Sequence, residues 1–460
     1  MDSRERELPL KILTCAHNRC QRAALLFFVP LCLMKVVDRT VAPPLRGIEK
    51  IDLLKVNHFQ LSNGMPVWCI NAGTQDVIKI ELLFNAGRWQ EQNRAVAATT
   101  AKMLMEGTQK KSAQQIAEEV EFYGATINSD AAIDYSSVSI FTLNKHLHSL
   151  LPLLHEVIYE ASFPEKELVT HVQNSKQRLL VNLEKVDFLA HKEFNERLYG
   201  KHHPNGYTTS VEDYDQINVS ALRAFHKAAY QQGSFRIFMS GKIPDSVLKD
   251  IDNYFGNKIS SYPNGSSRQH ATNIDAEKKF FVEKKDAVQS AIRIGKIMIN
   301  KTHPDFPKLR VLNTVLGGYF GSRLMQNLRE DKGYCYGVHS GMGSYLNSGI
   351  FYITTEVGKE VTDAAVNEIY SEIQRLRAEP VPQEELQIVK NYMLGVMLAD
   401  ADGPFNVSEI IRGLIVFGLN ESHFEEMVNA TRSVTSSELQ QLAQAYLDPE
   451  SMIEVIAGSK

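Results

Sequence analysis

Residues 222–241 read LRAFHKAAYQQGSFRIFMSG, and residues 439–458 read LQQLAQAYLDPESMIEVIAG. In the first, Leu222, Phe225, Ala229 and Tyr230 precede an apolar strand, Phe235 to Met239, that ends at Gly241. In the second, Leu439, Leu442, Ala445 and Tyr446 precede Met452 to Ile456, which ends at Gly458. The offset between the two is 216 to 217 residues throughout. Two more anchors keep the same order. Pro164 and Leu168 open a helical pattern as P-x-x-x-L, and Pro382 and Leu386 do the same. A strand around Phe141 followed by a long helix matches a strand around Phe351 followed by another. Three anchors in one order predict a duplicated domain.

Between the copies lies Tyr262 to Ala271, YPNGSSRQHA, where Pro, Asn, Gly and Ser cluster as in a linker. The expected organisation is an N-terminal extension over 1–44, a first domain over 45–260, a linker over 261–274 and a second domain over 275–460. Inside the first copy, Ser112-x-x-Gln115 reads as a capping box. Ile116, Val120 and Tyr123 continue it at helical spacing, and Gly124 ends it. Polar and apolar residues then alternate up to Thr142, which predicts strands. In the second copy, Cys335 to Tyr345 and Ile350 to Val357 flank Leu346-Asn347-Ser348-Gly349 as a hairpin. Val366, Ile369, Ile373 and Leu376 form one helical stripe, a core signal. Hairpin-linked strands followed by runs of helices predict an α+β fold, two homologous two-layer domains of mostly antiparallel sheet with helices packed on it.

The bulk numbers agree with a folded chain of this kind. Of 460 residues, 43% are hydrophobic and 23% charged, an ordinary globular balance. The net charge of −4 excludes the basic footprint of a nucleic-acid binder. Cys15, Cys20, Cys32, Cys69 and Cys335 form no C-x-x-C pair, which reads as reduced structural thiols. Ala23 to Met34 is an apolar run too short to span a bilayer. It reads either as part of a signal peptide, though acidic residues precede it and no small-x-small cleavage site follows, or as sequence upstream of a true start at Met34. No stable membrane span is expected elsewhere. The compartment expected is the cytoplasm, or the periplasm if that run is a signal.

Several segments resemble the pitrilysin or insulinase-like metallopeptidases, the group with the inverted H-x-x-E-H zinc motif that includes mitochondrial processing peptidase. Phe59-Gln-Leu-Ser-Asn-Gly-Met-Pro-Val67 resembles the family's first strand, and Asn85-Ala-Gly87 the end of its next. Met105-Glu-Gly-Thr108 with Lys111-Ser112 resembles the segment after the zinc motif. Leu316-Gly-Gly-Tyr-Phe-Gly-Ser-Arg-Leu324, Asn327-Leu-Arg-Glu330 and Gly333-Tyr-Cys-Tyr336 resemble its C-terminal substrate-binding segment. The resemblance runs from about residue 50 to the end and implies a pseudo-duplicated metallopeptidase fold.

The motif itself is missing. Counting back from Gly107-Thr108, its three positions hold Ala98, Ala101 and Lys102. Two His at i and i+4 bind zinc in the family, and the Glu between them polarises the metal-bound water. Alanine and a protonated lysine offer the metal no lone pair. The family's third ligand, a Glu, has no counterpart near Leu180 to Asn182, with Glu184 merely nearby. His146, His148, His155 and Glu156, and the pair His202-His203, read as helix and loop histidines, not as a replacement metal site. No metal ligand and no catalytic residue is therefore expected in this chain.

The resemblance also implies what remains. Arg329 and Tyr336 match a pair that contacts bound substrate across from the zinc. A guanidinium clasps a peptide carbonyl or carboxylate, and a phenol donates to an oxyanion. Read on spacing alone, they are a structural arginine paired with Glu330 or Asp331 and a core tyrosine. Gly317, Gly318 and Gly321 resemble a mobile glycine-rich loop of the processing peptidase's non-catalytic subunit, or else form a tight turn between helices. Their order is not that of a phosphate loop.

The expected function is a non-catalytic, substrate-binding subunit of a two-chain zinc metallopeptidase, inactive alone. It would pair as a heterodimer with a homologue that carries H-x-x-E-H and the zinc, and would bind peptide substrate. The alternatives are a scaffold or assembly protein of the same fold, and a self-sufficient peptidase with an unrecognised metal site.

Overall fold

The computed structural model describes residues 40, 47–257 and 277–459. The expected linker at 261–274 lies outside the described residues, as does the extension at 1–44 apart from Thr40.

The strands form two sheets. The first holds β1 (Asn57–Gln60), β2 (Pro66–Asn71), β3 (Val77–Phe84), β4 (Thr126–Ala131), β5 (Ser136–Leu143) and β6 (Phe235–Gly241), in the order β1-β2-β6-β3-β5-β4. The second holds β7 (Lys279–Glu283), β8 (Gln289–Met298), β9 (Cys335–Tyr345), β10 (Ser348–Gly358) and β11 (Ile453–Gly458), in the order β7-β11-β8-β10-β9. β6 lies parallel to β2 and antiparallel to β3. β11 lies parallel to β7 and antiparallel to β8 in the same way. The two repeated stretches thus end in topologically equal strands, and the chain is an α+β pseudo-duplication. The helix anchors correspond too: Pro164 is the N-cap of the helix Glu165–Leu183, and Pro382 of the helix Gln383–Asp400.

Local readings hold where short-range chemistry decides them. The Ser112 hydroxyl accepts from the Gln115 N–H at 3.3 Å, and the Gln115 side chain accepts from the Ser112 N–H at 2.9 Å. Gly124 follows that helix at φ +59°, where a side chain would be strained. The β9–β10 turn is tighter than expected. Ser348 already pairs with Tyr345, which leaves only Leu346 and Asn347 to turn, because each added ladder pair satisfies backbone groups that a longer loop would expose.

Each sheet is apolar on both faces, and this determines the packing. On β3, Ile78, Ile80, Leu82 and Phe84 enter the first core, packed by the helix Asn144–Tyr159 among others. Leu83 points the other way, with Trp68, Ile70 and Phe238, toward Val407 and Ile411 of the helix Gly403–Ile415. That helix comes from the second half of the chain. The exchange is reciprocal. Ala190, Phe194 and Leu198 of the helix Val186–Tyr199, from the first half, cover Ala291, Ile453 and Val455 on the outer face of the second sheet. A sheet with two apolar faces needs a layer on each, and here each half supplies the other's second layer.

Candidate functional site

The helix Val96–Met103 occupies the place of the zinc motif. Its entry residue Ala95 sits at φ +64°, and the carboxylate of Glu91 accepts the Ala97 N–H at 3.0 Å. A carboxylate at a helix N-terminus satisfies an otherwise orphaned donor. The Tyr207 hydroxyl donates to the same carboxyl group. Burial pushes the Glu91 pKa up to about 7, against the pull of the Ala97 and Ala95 N–H groups and of Arg88 and Arg94.

Along this helix Ala98 is exposed and Ala101 buried. Lys102 donates to the Ser129 carbonyl at 3.2 Å and pairs with Asp130, so its ammonium is held against β4. The region expected to bear the third ligand is the last turn of the helix Glu165–Leu183. Glu184, at its end, is ion-paired with Lys284 at 2.5 Å. Farther back, His171 is held below its usual pKa by burial and by the charges of Arg178 and Lys102. The neighbourhood is cationic and the donor set two methyl groups and an ammonium. The zinc implied by the resemblance does not fit these residues.

Of the histidines named from the sequence, all but His148 are packed against rings or hydrogen-bonded. His146 lies against the Tyr123 ring at 5.0 Å, and His148 is exposed. His155 lies among Tyr159, Tyr254 and Phe255. Glu156 accepts from the Thr108 hydroxyl. His203 stacks on Tyr199 and meets Trp89 edge-on, and His202 faces Arg94 at 3.3 Å. Among the described residues, no three His, Cys, Asp or Glu stand together as a metal site. Cys69 and Cys335 are both free thiols.

In the second half, Arg329 lies on the wide helical turn Met325–Asp331. Its guanidinium stands over the Phe320 ring at 4.8 Å, and its Nε is 3.5 Å from the Glu330 carboxylate. Tyr336 is 91% exposed. It stands on the edge strand β9 and lines an open hollow of about 410 Å³ together with His339, Thr354 and Glu356. A phenol so exposed contributes little to the core and is available to a ligand.

Gly317 ends the helix Phe306–Gly317, Gly318 caps it, and Gly321 lies between it and that turn. A Cβ on Gly317 would come within 2.8 Å of the Ser340 nitrogen on β9, and one on Gly318 within 2.7 Å of the Thr314 Cα. One on Gly321 would meet only the Tyr319 ring, at 2.8 Å. None of the three has a left-handed φ. At Gly317 and Gly318 the missing side chain lets backbone approach backbone.

Sequence reasoning did not single out Arg88, Arg178 or Tyr345, which line one cavity where the two halves meet. No local pattern marks them, because they come from distant parts of the chain and only folding gathers them.

Comparisons with known proteins follow this geometry. Residues 67–206 match the family described as insulinase (peptidase family M16), and residues 216–393 match its companion, the peptidase M16 inactive domain. An uncharacterized zinc protease, YmxG of Bacillus subtilis, is 25% identical over 413 residues, covering 88% of this chain and 98% of its own. The non-peptidase homolog YmxG of Helicobacter pylori is 21% identical over 389 residues, covering 83% and 89%. Among solved structures, a peptidase M16 inactive domain from Pseudomonas fluorescens superposes with a TM-score of 0.80 at 23% identity, over 88% of this chain and 99% of its own. The periplasmic protease PqqL of Escherichia coli gives 0.74 at 15% identity, over 92% of this chain and 48% of its own. Among the described residues, no helix is long and apolar enough to cross a membrane.

Proposed function

We propose, from the premise that this chain belongs to the insulinase family of peptidases, family M16, that it is a non-catalytic subunit that holds peptide for a zinc-bearing partner. The observation that carries the reading is the contrast between its two halves. The zinc-motif helix presents Ala98, Ala101 and Lys102, with Lys102 tied to Ser129 and Asp130. The second half keeps Tyr336 open to solvent, with Arg329 seven residues before it held, among the described residues, by Phe320 and Glu330.

In this reading the partner carries H-x-x-E-H and supplies a metal-activated water. The present chain supplies orientation. The Arg329 guanidinium exchanges its long contact with Glu330 for a peptide carbonyl or carboxylate, which it can grip at two points. The Tyr336 hydroxyl donates to negative charge developing on the scissile carbonyl, and such a donor acts more strongly in the transition state than in the ground state. Relatives by sequence, at 21–25% identity, include both proteins named zinc proteases and proteins named non-peptidase or inactive, which supports a division of labour between subunits.

The test is recovery of the tagged protein from its native host, followed by mass spectrometry of what accompanies it. A stoichiometric partner with an intact H-x-x-E-H, and peptide cleavage only when both chains are present, is the expected result. Recovery of this chain alone, or with unrelated proteins, would overturn the reading in favour of a scaffold. Chelator-sensitive cleavage by the pure single chain would overturn it in favour of a self-sufficient enzyme.

A further inference from the structure

A cavity of about 330 Å³ opens between the helix Glu165–Leu183, the segment around Asn205 to Thr209, and Tyr345 from the second half of the chain. Its wall carries Arg88 and Arg178 together with the side chains of Ser175, Asn205, Thr209 and Tyr345, and not one Asp or Glu. Every one of these groups has an N–H or O–H to donate. Asp134 and Asp187 act on Tyr345 and His191 from behind this lining, but the two guanidinium groups at the wall itself favour an anion.

Two details show that the wall is built and not merely open. Asn205 is 4% exposed, and its side-chain amide meets the Tyr199 hydroxyl but completes no well-formed hydrogen bond among the described residues. The Tyr199 hydroxyl is shared, since it also faces the Ser348 hydroxyl at 3.2 Å. A buried amide with one shared partner keeps donors that something polar entering the cavity can meet. Arg88 is positioned by its own neighbours: its guanidinium lies over the Tyr207 ring at 5.0 Å and donates to the Tyr207 carbonyl at 3.4 Å. Arg178, by contrast, is exposed, and its guanidinium has no ion pair or hydrogen bond among the described residues. The nearest acid behind Tyr207 is Glu91, whose charge is weakened near neutral pH because burial raises its pKa to about 7.

We propose that this cavity binds a carboxylate of the peptide between its two guanidinium groups. The inference rests on the peptide-holding reading above and makes it specific. Arg178 takes the carboxylate in a two-point grip, Arg88 adds a second positive charge, and the Asn205 amide donates to a free oxygen. The carboxylate comes either from the peptide's C-terminus or from an acidic side chain. In either case it fixes one end of the peptide while Tyr336 and Arg329 handle another.

The experiment uses the full chain and three fluorescent peptides of one sequence without Asp or Glu. One has a free C-terminal carboxylate, one a C-terminal amide, and one the amide with a single interior Glu. On the wild type, the free acid or the Glu peptide is expected to bind about tenfold tighter than the plain amide, the usual scale of a charge-assisted two-point contact. Whichever gains identifies the source of the carboxylate. The gain should vanish in Arg178→Gln and be partly retained in Arg178→Lys. Arg178 is exposed, so the thermal midpoint of both variants without peptide should match the wild type. Equal binding of all three peptides would overturn the carboxylate site while leaving peptide holding intact. If no peptide binds, the peptide-holding reading fails and benzoate alone decides the cavity. A benzoate-dependent rise in thermal midpoint that Arg178→Gln abolishes would sustain the site, and its absence would overturn it.

Discussion

Arg412 joins the two halves of the chain through Glu81, with a guanidinium nitrogen 2.8 Å from a carboxylate whose residue is 3% exposed. Glu81 lies on β3, on the face that the exchanged helix Gly403–Ile415 covers. Burial works against the arginine's charge, but Glu81 and Glu409 outweigh it and hold its pKa above the usual value. Lys79 completes the network by pairing with Glu409 and approaching Glu81 at 3.6 Å. The charges sit among Trp68, Leu83, Phe238 and Val407, so they fix where on the apolar face the helix lands.

Removing one side of that pair strands the other. Arg412→Ala is expected to cost about 3 kcal/mol of stability, the scale seen when a buried ion pair loses one partner. Urea unfolding of the full chain checks this. An unchanged midpoint would show that Glu81 finds water or Lys79 without difficulty.

Glu91 sets a pH dependence with a definite sign. Its folded pKa of about 7 stands above the ordinary 4.5, so its ionisation opposes folding. The stability it contributes is complete below about 4.5 and is lost as pH rises through about 7. Glu91→Gln keeps an oxygen for the Ala97 N–H and removes the titration. The thermal midpoint of the variant, relative to wild type, should therefore rise across that window and level off above it. A relative fall over the same window would contradict the assignment.

The glycine segment separates packing from mobility. Gly317→Ala forces a methyl onto the Ser340 backbone and should cost about 1–3 kcal/mol, the range for overpacking a close contact. Gly321→Ala meets only the Tyr319 ring, which can turn aside, and should cost less than half as much. Equal losses in thermal unfolding would mean that the two positions share one constraint.

The zinc motif cannot be restored by its three residues alone. The combined change Ala98→His, Ala101→Glu and Lys102→His is expected to bind zinc well below one equivalent, measured by metal analysis after dialysis. Two His lack their carboxylate companion here, because Glu184 is tied to Lys284 and Arg178 adds positive charge nearby. A full equivalent of tightly held zinc would show that another donor can swing in.

Tyr336→Phe tests the division of labour directly. With the partner present, turnover should fall about tenfold to a hundredfold with little change in KM, since the lost hydrogen bond belongs to the transition state. The thermal midpoint should not move, because Tyr336 is 91% exposed. Arg329→Gln should raise KM more than it lowers kcat. Unaltered kinetics in both variants would favour a scaffold.

The sequence by itself determined everything that short-range chemistry controls. The capping box at Ser112 and Gln115, the strands that end at Gly241 and Gly458, and the proline N-caps at 164 and 382 are set by residues within a few positions of one another. The loss of zinc ligands is equally local, since Ala98, Ala101 and Lys102 lack lone pairs in any fold. Only the tertiary structure decided which sheet each apolar helix covers. The pattern of Ala190, Phe194 and Leu198 demands burial but names no partner, and the fold spends it on the opposite half's sheet. The same holds for the cavity of Arg88, Arg178, Asn205 and Tyr345. Hydrophobic burial is non-directional and carries no address in the local sequence, so contacts between distant segments are chosen by the shape and charge of the whole packed chain.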